Sequence, residues 1–378
     1  LVPGHQSDQP AAAKIQRPDV VPFVHSPSHR TVHSRPTRAI PHELPTPIVV
    51  SESKATTYHS PPVKALYINR AMELRDVPLP SRPNECRVRV LLAGICGTDL
   101  QILNGYAAFK GVPGHEFVGI VEDVSSDTDG PLVGRRVVGE INVGCDNCRW
   151  CQDGIKEHCP ARSVLGIRHR FGAFAEYLWL PPSNLHVLPE SLGESAAVFV
   201  EPTAAACQIL TQTDMTRSDH VIVLGDGRMG LIIGQVLATT CAQVTIAGKH
   251  ENKLEVARKL GLNATHVDSL DGSQKVDVVV EATGRPDGLP IALKLLRPRG
   301  TVVLKSTFHG ETSMSLWPTV IDEFKIIGSR CGPFPPAIDH LVSGRVDTTP
   351  LIAGTFGLED YETAFEAARN QLKVLLRP

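Results

Sequence analysis

No stretch of this chain approaches the about 18–20 consecutive apolar residues that a bilayer-spanning helix needs. Its most apolar runs, such as Val221 to Leu224 and Val276 to Val280, are only strand-length. Charge of either sign is not in surplus: 38 Lys and Arg stand against 40 Asp and Glu, a formal net charge of −2 over 378 residues. That balance gives no reason to expect a nucleic-acid partner or an anionic membrane surface. There is no internal repeat. The nine cysteines are an odd number in a long chain, which excludes a disulfide-stapled secreted scaffold. Four of them crowd between Cys145 and Cys159, a spacing that points to metal and to a reducing compartment.

The length suits two domains, each with its own core. Residues 1–62 differ from the rest, with eleven prolines, six histidines, seven serines and only four acids. No helical or strand period persists there, so this segment reads as a disordered extension or an organelle-targeting peptide. The expected location is cytoplasmic, or an organelle in the second case. Short β-like runs follow at Arg87 to Ala93, Phe117 to Val124, Arg136 to Glu140 and Ala175 to Leu180, closely punctuated by Gly and Pro. They describe a β-rich domain over 63–203. Near residue 203 the pattern changes. Strand runs at Val221 to Leu224, Gln243 to Ala247, Val276 to Glu281, Thr301 to Lys305 and Lys325 to Ile327 appear, and helices at Met229 to Ala238 and Asn252 to Leu260 separate the first of them. Such alternation predicts an α/β fold with a doubly wound parallel sheet over 204–335. A final helix is expected at Tyr361 to Asn370, before an apolar end at Val374 to Leu376.

Cys145, Cys148, Cys151 and Cys159 are three, three and eight residues apart. Four thiolates on tight turns can close a tetrahedron around zinc with no open position, which makes the site structural. An iron–sulfur cluster would normally find its fourth cysteine sooner. A nucleic-acid zinc ribbon would show two separated Cys-x-x-Cys pairs in basic surroundings. A second, mixed set lies in Gly94-Ile95-Cys96-Gly97-Thr98-Asp99 and Gly114-His115-Glu116. A thiolate, an imidazole and a carboxylate suit zinc with one position left for water or substrate. Thr98 offers a hydroxyl beside the thiolate, and Asp99 could orient the imidazole. The third ligand is Glu116 or Glu201, the latter at Val200-Glu201-Pro202 just before a helix; the sequence leaves both open.

Gly225-Asp226-Gly227-Arg228-Met229-Gly230 follows a strand and opens a helix. In that context the glycines make the turn, admit a pyrophosphate and let the helix pack on its strand, and the helix N-terminus offers free N–H groups. The second strand ends in Ala247-Gly248-Lys249-His250, without the acid that normally holds an NAD ribose. Room at Gly248 and cations at Lys249 and His250 favour NADP over NAD.

Taken together, these residues resemble the zinc-containing alcohol dehydrogenases of the medium-chain dehydrogenase/reductase superfamily. The likeness covers about 63–378 and includes Phe-Ala-Glu-Tyr at 174–177; Val-Glu-Pro at 200–202 is closest to the polyol and threonine dehydrogenase branch. The resemblance implies a GroES-like catalytic domain and a Rossmann domain, with residues 336–378 returning to the former. It implies two zinc ions per chain, an active site in the interdomain cleft, and a homodimer or homotetramer. The implied reaction moves a hydride between a small alcohol or carbonyl compound and the nicotinamide, with Thr98 taking the hydroxyl proton. Arg330 stands where such enzymes often contact the cofactor. Gln101 replaces the histidine that often completes the proton path, and the short segment Asn104 to Gly111 leaves Tyr106 and Phe109 as candidate pocket residues. Two rival readings are a zinc-free quinone or enoyl-type reductase on the same fold and a non-catalytic nucleotide-binding scaffold.

Overall fold

Apolar and charged residues alternate along Cys86–Gly94, as a half-buried strand requires. Cys86, Val88 and Val90 are buried, Arg87 and Arg89 face outward, and the last three residues are buried without alternation. The computed structural model describes residues 62–79, 82–307 and 311–378. The extension read at 1–62 lies outside them apart from residue 62.

Cys86–Gly94 is central to a seven-stranded sheet. The strand Glu116–Asp123 pairs with it antiparallel on one side and Lys373–Arg377 on the other; Arg136–Gly139, Leu185–Val187 and Ile352–Gly357 extend the edges. Tyr177–Leu180 also pairs with it and is two residues shorter than the run read in the sequence. Register does most of the positioning. Gly94 lies opposite Glu116 in one ladder and opposite Leu375 in the other. The loop leaving Gly94, the loop entering Glu116 and the start of the last strand therefore meet at one end of the sheet.

The second sheet has six parallel strands in the order Asn263–His266, Gln243–Gly248, His220–Leu224, Val276–Glu281, Leu296–Leu304, Lys325–Gly328. This is the doubly wound order in which the chain reverses direction beside the first strand, leaving a crevice at the strand C-termini. The helices Arg228–Ala238 and Glu251–Lys259 follow the first two strands, and Gly261, at φ +75°, ends the second helix. Leu296–Leu304 begins five residues ahead of the expected Thr301, because the exposed Arg297-Pro298-Arg299 stretch interrupts the apolar run.

Helix Val200–Gln212 packs on Arg228–Ala238 and on Phe334–Val342. The break read near residue 203 thus falls inside a helix. Leu92, Val118 and Leu375 of the first sheet share one buried cluster with Val198, Phe199, Val200, Ala204 and Ala206 and with Val221, Leu231 and Ile246. The two sheets are joined by continuous core rather than by a linker. Among the described residues no helix is long and apolar enough to cross a membrane.

Candidate active site

One buried carboxylate organises the first cluster. Cys96 caps the short helix Gly97–Leu103, and Asp99 sits in its first turn. Asp99 Oδ2 accepts the Cys96 N–H at 2.8 Å, and Oδ1 accepts the Gly114 N–H at 3.2 Å. The same Oδ1 lies 3.5 Å from His115 Nδ1, an ion-pair contact longer than a hydrogen bond. Burial alone would lower the His115 pKa, but Asp99 and the Cys96 thiol outweigh it and hold it well above the usual value.

Cys96, His115 and Glu116 place their ligand atoms within 4.8 Å of one another. Zinc–ligand bonds of about 2.0–2.3 Å in a tetrahedron fit that spread, and the S, N, O donor set suits the metal. Thr98 Oγ1 is 3.8 Å from the Cys96 sulfur. Glu116 Oε2 is paired with the buried Lys373, whose ammonium also donates to the Ile95 carbonyl at 3.4 Å. Glu201 occupies the first turn of Val200–Gln212 and is not in this set. Burial raises its pKa and Glu116 adds to the rise, while His115 and Lys373 oppose it. It is therefore a neighbour of the cluster. Lys305 lies close by and is lowered to about 8 by burial, against the pull of Cys331 and Glu201. Gln101 is exposed one turn along. Phe109 is buried with Ile68 and Ile102, so it belongs to the core; Tyr106 is exposed.

The second cluster brings the Cys145, Cys148, Cys151 and Cys159 sulfurs within 4.8 Å of each other. The Asn147 N–H is the main cause that brings the Cys145 thiol down to about 7. A Cβ on Gly144 would come to 2.7 Å from the Cys151 sulfur, so glycine makes room for the third thiol. Trp150 and Ile155 of this lobe are exposed and only Cys159 of the four cysteines is buried. Four thiols without a core of their own fit a closed structural zinc site. Arg330 turns toward the lobe, donating to Asn142 Oδ1 and to the Glu157 carbonyl, both at 3.1 Å.

The glycine loop lies across the crevice. Gly225 has φ +123°, and a Cβ there would meet the Ala282 carbonyl at 2.5 Å. A Cβ on Gly230 would strike the Gly225 carbonyl, so the helix packs directly on the strand turn. Gly227 caps the helix and faces open space, as an approaching phosphate requires. Met229 is half-buried beside it. Arg228 reaches over to the other domain: it donates to the Leu372 carbonyl at 2.7 Å, and its guanidinium lies 3.5 Å from where a Gly97 Cβ would stand, next to Cys96. Asp226 folds back onto the end of the second strand. Its Oδ2 accepts the Lys249 and His250 N–H groups, each at 2.7 Å, and its Oδ1 is 3.0 Å from His250 Nδ1.

Residues 82–190 match the model of the alcohol dehydrogenase GroES-like domain, and residues 229–343 match that of the zinc-binding dehydrogenases. The chain belongs to the zinc-containing alcohol dehydrogenases of the medium-chain superfamily. An erythritol/L-threitol dehydrogenase from Mycolicibacterium smegmatis is 30% identical over 81% of this chain and 94% of its own length. The alcohol dehydrogenase RspB of Escherichia coli CFT073, solved with NADH, superposes with a TM-score of 0.78 at 29% identity, covering 84% of this chain and all of that one. A zinc-binding dehydrogenase from Sinorhizobium meliloti, solved with NADP, gives 0.77 at 26% identity over 84% of this chain and all of that one. As a member of this family, the chain is an alcohol dehydrogenase-type oxidoreductase that uses a nicotinamide cofactor.

Three residues of this dehydrogenase site escape a reading of the sequence. Lys373 sits in an apolar stretch 257 residues from its partner Glu116. Lys305 ends a strand like any surface lysine. Asp226 alone left a trace, as an acid inside the glycine loop of a sequence that lacks one on its second strand.

Proposed function

We propose that this dehydrogenase interconverts a small polyol-type alcohol and its carbonyl form at the Cys96–His115–Glu116 cluster. The observation that carries the reading is the proximity of these three ligand atoms, with Thr98 beside Cys96 and Arg228 of the glycine loop beside Gly97. When bound there, zinc supplies Lewis acidity and the nicotinamide exchanges the hydride. The protein's own residues do the rest. Cys96, His115 and Glu116 hold the metal, and Asp99 fixes both ligand loops. Lys373 neutralises one Glu116 oxygen and leaves the other free to ligate. Glu201, in the first turn of Val200–Gln212 next to the cluster, offers a carboxyl group that can hydrogen-bond a substrate hydroxyl. Thr98 receives the hydroxyl proton and, with the untitratable Gln101 exposed next to it, passes it to water. Cys145, Cys148, Cys151 and Cys159 hold a second zinc that supports the fold. The similarity to an erythritol/L-threitol dehydrogenase supports a polyol substrate.

The test is metal analysis joined to a panel of polyols and simple alcohols assayed with both cofactors. The wild type should carry two zinc ions per chain and oxidise a polyol. Cys96→Ala should keep one zinc and lose turnover. Full activity in that variant would transfer the protein to the zinc-free reductases. Homodimerisation is part of the same proposal, and it rests on the exposed apolar helix Trp317–Ile321 beside the sheet edge.

A further inference from the structure

The strand-end acid that an NAD site uses for the ribose is missing from the second strand of the Rossmann sheet, which ends in Gly248. The volume such a side chain would fill is nevertheless taken. A Cβ on Gly248 would overlap the Oδ2, the Cγ and the Cβ of Asp226. The carboxylate of the glycine loop thus stands where an acid on residue 248 would project. It is buried and bound at three points: Lys249 N and His250 N at 2.7 Å, and His250 Nδ1 at 3.0 Å. Gly248 and Asp226 fit only as a pair, since any side chain at 248 would expel the carboxylate.

We infer that Asp226 is the residue that sets the dinucleotide preference, and that it selects NAD(H) over NADP(H). This rests on the nicotinamide-dependent reading above. The argument is one of charge and of occupied donors. A 2′-phosphate at this corner would need the N–H groups of Lys249 and of the helix cap His250, and the cations of the same two residues. The N–H groups of Lys249 and His250 already serve Asp226. The His250 ring is held against the same carboxylate. Asp287, bonded to Arg285, also lies within range of the Lys249 charge. The His250 ring already has an acid facing it, and a second anion would meet the Asp226 charge directly. A ribose 2′-hydroxyl makes no such demand, because it can donate to a carboxylate oxygen that still has a free lone pair. The Gly248-Lys249-His250 sequence, which taken alone favours NADP, acquires the opposite sense once Asp226 is folded onto it.

The experiment is a binding titration of the full-length zinc-loaded protein with NADH and with NADPH, followed by nicotinamide fluorescence and without substrate. The wild type should bind NADH at least about tenfold more tightly, the scale of one well-placed like-charge contact. Asp226→Asn keeps the shape and the acceptor oxygen but removes the charge; it should close most of that gap by tightening NADPH. His250→Ala unmasks the carboxylate and should widen the gap, which gives a second reading if the first variant folds poorly. Tighter NADPH binding by the wild type, or an unchanged NADH-to-NADPH ratio in Asp226→Asn, would overturn the inference while leaving the dehydrogenase reading intact. Binding of neither nucleotide by a folded wild type would overturn both.

Discussion

Glu116 is claimed by two partners at once, the metal cluster and Lys373. Glu201 stands beside them with no salt bridge among the described residues. If Glu116 is the third ligand, Glu116→Gln should carry one zinc ion per chain fewer than the wild type, since a neutral amide is a poor zinc ligand and Lys373 is left as an uncompensated buried charge. Glu201→Gln should keep both ions and lose turnover. Atomic absorption of the two purified variants checks this, and the opposite pattern would move the ligand role to Glu201. The sequence could name both candidates but could not rank them, because the ranking depends on strand register and on a lysine from the far end of the chain.

Lys305 gives a pH-dependent prediction at the same scale. Its pKa falls from 10.5 to about 8, first through burial. A lysine with a folded pKa below its unfolded one binds fewer protons in the folded state between those values, so its contribution to stability rises with pH across that window. Wild type should gain on Lys305→Met as pH climbs from about 8 to about 10.5. At about 1.4 kcal/mol per pKa unit the change amounts to a few kcal/mol at most, less whatever solvent screens. Urea denaturation at several pH values measures it; a difference independent of pH would mean that Lys305 is not desolvated.

At the scale of elements, the strand His169–Arg170 is fastened by a buried fork. Arg170 donates to both oxygens of Glu85, at 2.7 and 2.9 Å, and to the Trp179 carbonyl at 3.1 Å. Glu85 immediately precedes Cys86–Gly94, so this pair anchors the strand that leads to Cys96. Glu85→Ala strands a buried guanidinium and should cost about 3–5 kcal/mol, read as a lower denaturation midpoint. The loss should exceed that of the exposed pair Arg149–Asp153, which carries about 0–1 kcal/mol. Elements were legible where period and burial agree. Tyr361–Asn370 has the bounds expected from its amphipathic pattern, with Ala364, Phe365 and Ala368 buried on one face. Val200–Gln212 was not delimited because it is buried nearly all round from Val200 to Cys207, which erases the 3.6-residue period. The Glu85–Arg170 fork leaves no local pattern at all, since it is made by tertiary contact.

At the scale of the whole molecule, the parallel, doubly wound character of the sheet followed from the alternation of strands and helices, but the strand order and the surface it leaves did not. Lys325–Gly328 ends the sheet order, and three of its four residues are exposed. Beside it in sequence, Leu316, Trp317, Val320 and Ile321 are 61 to 75% exposed. Among the described residues no strand pairs with the outer edge of Lys325–Gly328, and an open strand edge next to a cluster of large apolar side chains is a surface that proteins normally cover. A second copy meets both needs through a two-fold contact: edge strand against edge strand satisfies the free N–H and C=O groups, and the helix Trp317–Ile321 gains an apolar partner in its own symmetry mate. The Cys96–His115–Glu116 cluster lies in loops of the other sheet, so the contact can be tested apart from the proposed chemistry. Wild type should sediment as a dimer, and Val320→Asp, which places a charge in the middle of the patch, should sediment as a monomer that still binds two zinc ions. A wild type that stays monomeric at the highest concentration reached would remove the dimer from the proposal and leave the apolar edge to another partner.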